Sequence, residues 1–169
     1  ATYEAVDGIH NAKVSELSSN EYQVELTMRD ILSYKLNDDS LLIDTGSPHY
    51  VKKVDDLESI DIVSRGAEIR YDKNISEDGV NVDFLLIKDG EIHIRTYERG
   101  VENETLACGT GVTASAIAAS LWQGGNNIDI HTKIAKLNVR FNKENNTFKN
   151  VVLSGPATHV FDGIYIFAK

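Results

Sequence analysis

The sequence predicts an α+β domain in which antiparallel or mixed β-strands wrap around one buried central helix. Three observations lead there. Short alternating or continuous apolar segments, separated by turn residues, recur along most of the chain, which is the pattern of strands. One run, residues 111–123, is apolar on almost every side, and such a helix must be buried. A further segment, residues 55–70, carries Leu57, Ile60, Val63 and Ala67 at helical spacing and predicts a second, peripheral helix.

The elements follow in order. "NAKVSEL" and "YQVELTM" alternate apolar and polar residues, as strands with one buried face do. "SLLIDTG" is a more continuous strand running into a turn at Gly46-Ser47-Pro48. After the 55–70 helix, whose end Gly66 should weaken, come "VNVDFLLI" and "EIHIRTY". Lys88-Asp89-Gly90 between them signals a tight hairpin, because Asp-Gly suits a turn needing two positive φ angles. The central helix over 111–123 stops at Gly124-Gly125. "NIDIHTK", "KLNVRFN" and "NVVLSG" continue the strands, with "NKENNT" as a polar hairpin loop, and the tail "THVFDGIYIFAK" is strand-like and ends apolar.

The totals narrow the function. A chain of 169 residues suits one domain with a real hydrophobic core. Its net charge of −9 disfavours a nucleic-acid partner held by a broad basic surface. No apolar run approaches the roughly 20 residues of a membrane helix, and no signal-peptide pattern opens the chain, so no membrane association is expected. One cysteine cannot form an internal disulfide, which points to a reducing, cytoplasmic setting. The chain opens at Ala1, which fits either methionine removal before a small residue or a start inside a longer chain.

That cysteine, Cys108, stands immediately before the buried helix, beside Gly109, Thr110 and Gly111. Backbone N–H groups at a helix start are unpaired and carry the positive end of the helix dipole. They stabilise a thiolate there, and glycines let a substrate carboxylate approach the same donors. Against this, free cysteine is among the most buried residue types and commonly serves as a small hydrophobe. Spacing alone leaves both readings open. Gly109-x-Gly111-x-x-Ala114, with Asp129 beyond, also matches a dinucleotide-binding fingerprint. Polar "ENET" ahead of Cys108 and the lack of repeated βα units argue against that use. His10, His93, His131 and His159 show no metal-ligand spacing, so no metal is assigned.

"YERGVENETLACGTGVTASAIAA" closely resembles the second cysteine motif of the diaminopimelate epimerase family. "TGSPHYV", "VNVDFLLI" and "SGPATHVFDGIYI" resemble further blocks of that family in the same order, so the resemblance covers nearly the whole chain. It implies a diaminopimelate epimerase-like fold and a cofactor-free isomerase that interconverts LL- and meso-diaminopimelate for lysine and cell-wall precursor synthesis. Two cysteines, one on each face of the substrate, then exchange the roles of thiolate base and thiol acid.

By the same resemblance Cys108, Glu98 and His49 are catalytic. Gly109 and Thr110 offer backbone donors to the α-carboxylate, and Glu98 binds the α-amino group and helps orient the site with His49. Arg99 pairs with the distal carboxylate, a task suited to its fork of donors. Asn81 also holds the distal end, while Ser47 stands where many members have asparagine and so reaches less far. Read without the resemblance, His49 is equally a hydrogen-bonded turn residue. Glu98 and Arg99 are then a solvated pair, and Asn81 an edge residue.

The family has two similar halves, each contributing a cysteine, and an "ACGNG"-like first motif is missing here. The expectation is therefore a C-terminal epimerase domain over 11–160, separated from its N-terminal half and inactive alone. Segments 1–10 and 161–169 are expected to pack on that missing half; left exposed, such edges invite pairing, so a homodimer is possible. Two other readings stand beside this one. One is a related cofactor-independent racemase or isomerase acting on another amino acid, and the other is a non-catalytic binding or assembly domain of the same fold.

Overall fold

The computed structural model describes residues 1–5 and 8–167. Its strands are β1 (Thr2–Ala5), β2 (Gly8–Ser18), β3 (Glu21–Thr27), β4 (Tyr34–Leu36), β5 (Ser40–Asp44) and β6 (Pro48–Val54). After helix α1 (Ile62–Arg70) follow β7 (Asn81–Lys88), β8 (Glu91–Glu98) and β9 (Asn103–Thr105). Helix α2 (Gly109–Gln123) leads into β10 (Asn127–His131), β11 (Lys136–Glu144) and β12 (Thr147–Thr158). Among the described residues the strands form one mixed sheet in the order β1-β2-β3-β12-β11-β10-β8-β7-β6-β5-β4, with β9 beside β8. Among the described residues only β6–β7 and β10–β8 pair in parallel; the other pairings are antiparallel.

Helix α2 packs against β5, β6, β7, β8, β10 and β11 of this sheet. Residues Gly111 to Ser120 of α2 are all buried. Alanine and serine dominate that stretch, so strands approach the helix closely while Val112 and Ile117 fill the larger gaps. Helix α1 lies on the other face of β7 and β8 and closes a smaller core of Leu57, Ile62, Val80, Val82, Phe84 and Tyr97. Strand β7 is thus covered on both faces, which is why "VNVDFLLI" reads as a continuous apolar run. Its alternation sends Val82 and Phe84 towards α1 and Leu85 into the core around α2. Asp83 shares the Leu85 face and so points at α2.

The turns obey local chemistry. Asp89 and Gly90 have φ of 53° and 82°, the paired positive angles a two-residue hairpin needs. Asn145, with φ of 54°, opens the equally short β11–β12 turn.

The structure corrects three expectations. Helix α1 begins at Ile62, not near residue 55, because Asp61 caps it: Asp61 Oδ1 accepts from the Ser64 backbone N–H at 3.1 Å and Oδ2 from Ser64 Oγ–H at 2.7 Å. Its buried side is Ile62 and Gly66, whereas Val63 is exposed. Gly66 does not weaken the helix end but permits contact, since a Cβ there would fall 2.5 Å from Tyr97 Cβ. Finally, the tail is not a strand beyond Thr158. Among the described residues, 159–167 belong to no strand, although His159 N–H still donates to the Asn20 carbonyl at 2.9 Å, and Ile164 is 96% exposed. At the other end β1 pairs with β2 and forms one edge of the sheet. Residues 6–7 and 168–169, parts of the two terminal segments, lie outside the described residues.

Candidate active site

Strand β6 begins at Pro48, directly after the turn at Gly46, whose φ of 118° only glycine tolerates easily. Alternation along β6 turns His49 and Val51 inwards, under the start of α2. In the parallel β6–β7 register His49 lies beside Asn81 and Val51 beside Asp83; across β8, Asp83 faces Thr96. These pairings bring four polar side chains into an otherwise apolar wall.

His49 and Asp83 are both fully buried, with His49 Nδ1 2.7 Å from Asp83 Oδ2. Asp83 Oδ1 accepts a second hydrogen bond from Thr96 Oγ–H at 2.7 Å. Burial by itself pushes the His49 imidazole down, but the charge and hydrogen bond of Asp83 prevail, with Cys108 adding to the rise, and lift it to about 10. His49 is therefore an imidazolium at neutral pH, and both ring nitrogens donate.

Its outer nitrogen, Nε2, lies 2.9 Å from Thr110 Oγ1 and 3.1 Å from Ser47 Oγ. Thr110 Oγ1 in turn is 3.2 Å from Ser47 Oγ and 3.3 Å from Cys108 Sγ. Cys108 is half-buried and is the N-cap of α2, with extended backbone (φ −130°, ψ 114°) and no capping hydrogen bond from its side chain. The first intrahelical bond runs from Val112 N–H to the Cys108 carbonyl, leaving the earlier N–H groups of the first turn without helical partners. Thr45 Oγ–H, donating to the Thr110 carbonyl at 2.9 Å, ties the β5–β6 turn to the same helix turn.

Of the residues singled out from the sequence, Ser47, His49, Asn81, Cys108 and Thr110 thus form one connected cluster. Asn81 is inwardly committed: its Nδ2 lies 3.1 Å from both Ser47 Oγ and the Pro48 carbonyl, and its Oδ1 accepts from the Arg99 backbone N–H at 2.9 Å. Asn81 therefore joins the turn before β6 to the end of β8. Arg99 is half-buried with Nη1 3.1 Å from the Gly79 carbonyl, and Glu98 Oε1 accepts from Thr105 Oγ–H at 2.8 Å. Gly109 is exposed at the helix mouth.

Sequence reading missed Asp83, Thr96, Thr45 and the role of Gly111. For Asp83 a signal was present: one carboxylate inside "NVDFLLI", a run otherwise suited to burial on both faces, requires a buried partner. Among the described residues no group of three or more His, Cys, Asp or Glu side chains is placed to hold a metal ion. No helix of the described residues is long and apolar enough to cross a membrane.

Comparison with known proteins places the chain in a family. The family model for diaminopimelate epimerase matches residues 41–160, from β5 past the end of β12, and includes every residue of the cluster. The chain belongs to the diaminopimelate epimerase family. It is 42% identical over 164 residues to a diaminopimelate epimerase of Flavobacterium psychrophilum, covering 95% of this chain but 62% of that protein. A diaminopimelate epimerase of Hydrogenobaculum sp. is 44% identical over 127 residues, covering 72% of this chain and 44% of the relative. The chain thus spans less than two thirds of the length of these relatives. Among solved structures, one of the phenazine biosynthesis protein PhzF family from Enterococcus faecalis covers 71% of this chain and 41% of that chain. Its TM-score is 0.46 and its identity 14%.

Proposed function

We propose that this chain is the Cys108-bearing, C-terminal half of a diaminopimelate epimerase, an isomerase that inverts one α-carbon of 2,6-diaminopimelate without a cofactor. The observation that carries the reading is the place of Cys108. The thiol stands at an uncapped helix mouth, and through Thr110 it meets the buried His49–Asp83 pair.

Deprotonating an α-carbon is hard because the hydrogen is a very weak acid; it requires a base poised against it and fixed donors for the charge that develops. Cys108 as thiolate takes the proton from one face. The free N–H groups of the first turn of α2, at Gly109 and Thr110, receive the α-carboxylate, and the helix dipole favours that negative group. Glu98 takes the α-amino group. Arg99 reaches the distal carboxylate, and Asn81 fixes the Arg99 backbone from beneath. Ser47 holds Asn81 and Thr110 in register from the turn before β6.

Inversion also needs a proton delivered on the opposite face, and the chain has no second cysteine. That group comes from the N-terminal half, against which β1 and the apolar segment 159–167 pack, within a cytoplasmic enzyme. By itself the chain holds one acid/base group and is inactive; pairing of two copies through these ends produces a dimer without restoring the second half of the site.

Substrate choice is tested with the two halves together, following α-proton exchange in deuterated water over a panel of amino acids. Diaminopimelate should exchange, whereas alanine and lysine, which lack a distal carboxylate, should not. Exchange of lysine at the rate of diaminopimelate would remove Arg99 from its role and point to a different racemase.

A further inference from the structure

The contacts behind Cys108 form an ordered series: Asp83 Oδ2 to His49 Nδ1 at 2.7 Å, His49 Nε2 to Thr110 Oγ1 at 2.9 Å, and Thr110 Oγ1 to Cys108 Sγ at 3.3 Å. Thr110 has one hydroxyl hydrogen and at least three neighbours for it: His49 Nε2, Ser47 Oγ and Cys108 Sγ. Where that hydrogen points depends on His49. A neutral ring bonded to Asp83 through Nδ1–H presents a lone pair at Nε2 and draws the Thr110 hydrogen towards itself. A charged ring donates from Nε2, so Thr110 accepts there and its own hydrogen is released towards sulfur.

We propose that Asp83 is a positioning residue which, through His49, turns the Thr110 hydroxyl into a hydrogen-bond donor to the Cys108 thiolate. Asp83 is fully buried behind His49 and acts on the thiol through that ring and the Thr110 hydroxyl. The proposal rests on Cys108 being the acid/base group, but concerns the thiol itself and is measurable without substrate.

The geometry isolates the pair that sets the switch. The ionisable groups facing His49 are Asp83 from β7 and Cys108 from the helix mouth. Helix α2 has no ionisable side chain. On β5 the ionisable residue is Asp44, exposed and 3.5 Å from Arg29; on β6 Lys52 turns to Asp39 and Lys53 lies over Trp122. Thr96 supports Asp83 from behind and carries no charge.

The test is the rate at which iodoacetamide alkylates Cys108 between about pH 6 and 9, in the chain as it stands, for Asp83→Asn, Thr110→Val, Thr110→Ser and the Asp83→Asn/Thr110→Val double variant. Asp83→Asn keeps the shape of the carboxylate, and Thr110→Val leaves the buried pair untouched, so a fold defect in the first does not decide the outcome. Nitrogen chemical shifts of the His49 ring report its charge directly. The expected result is a loss of about tenfold in alkylation rate near neutral pH in both single variants, equivalent to about 1.4 kcal/mol. The double variant should lose no more than either single one, because both break the same series. Thr110→Ser should restore the rate, and the His49 ring should become neutral in Asp83→Asn alone. Unchanged alkylation in Thr110→Val, or additive losses in the double variant, would overturn the proposal. Because no substrate is used, an epimerase reading that failed would leave this result standing, and the converse holds as well.

Discussion

Gly111 sits so close to the buried ion pair that a Cβ placed on it would lie 2.5 Å from Asp83 Oδ1 and 3.2 Å from His49 Cε1. The first turn of α2 therefore rests directly on the side chains that hold His49 charged. The glycine is a fitting surface between helix and sheet, and its φ is not among the positive values.

Gly111→Ala should accordingly damage both fold and site. Overpacking of this kind costs about 1–3 kcal/mol. For a domain of this size that lowers the melting temperature by about 2–4 °C per kcal/mol. Thermal melts should show the fall, and Cys108 alkylation should slow as the helix start is pushed off Asp83. A variant that melts with the wild type would mean that the helix mouth is freer to shift than the contact implies.

Gly66→Ala offers a contrast in sign. In an exposed helix the change would stabilise by about 1 kcal/mol. Here the new methyl meets Tyr97 Cβ and Cγ at 2.5 Å, in the core that α1 closes. Destabilisation is expected, read as a lower urea midpoint with an unchanged slope.

Ser115 presents the opposite case. Its hydroxyl is buried within α2 and has no hydrogen-bond partner among the described residues. Leaving a buried polar group unsatisfied costs about 1–3 kcal/mol, so Ser115→Ala should raise the melting temperature. Calorimetry on the two chains settles the sign.

Stability should also depend on pH through His49. Its imidazole is held at about 10 in the folded chain, against about 6.5 for free histidine. The folded state thus holds this proton more tightly than the unfolded state. The contribution is complete below about pH 6.5 and is lost as pH rises through about 10. Urea midpoints of the wild type should fall across that window, and His49→Gln should flatten the fall even if it starts lower.

How far the sequence led is best judged residue by residue. Cys108, the helix after it and the Asp89-Gly90 turn were legible because each rests on local chemistry: a helix start, an apolar run and two positive φ angles. Strand β6 was not picked out, although it carries His49. It opens with Pro48 and contains Lys52 and Lys53, and its buried residues show only once β5 and β7 flank it. The start of α1 was misplaced because Leu57 and Ile60 continue the helical spacing backwards, while the cap at Asp61 decides the boundary. The His49–Asp83 pair spans 34 residues and exists only through the parallel β6–β7 register, which no local pattern announces.

The central claim is that Cys108 is one of two acid/base groups and that the other lies outside this chain. The most direct measurement is α-proton exchange of diaminopimelate in deuterated water. It is made first with the chain alone, then with the chain fused to the part of the Flavobacterium psychrophilum relative that it does not match. The account predicts no exchange by the chain alone, exchange by the fusion, and its loss in the fusion carrying Cys108→Ala. Exchange by the chain alone, or by the fusion without Cys108, would contradict it.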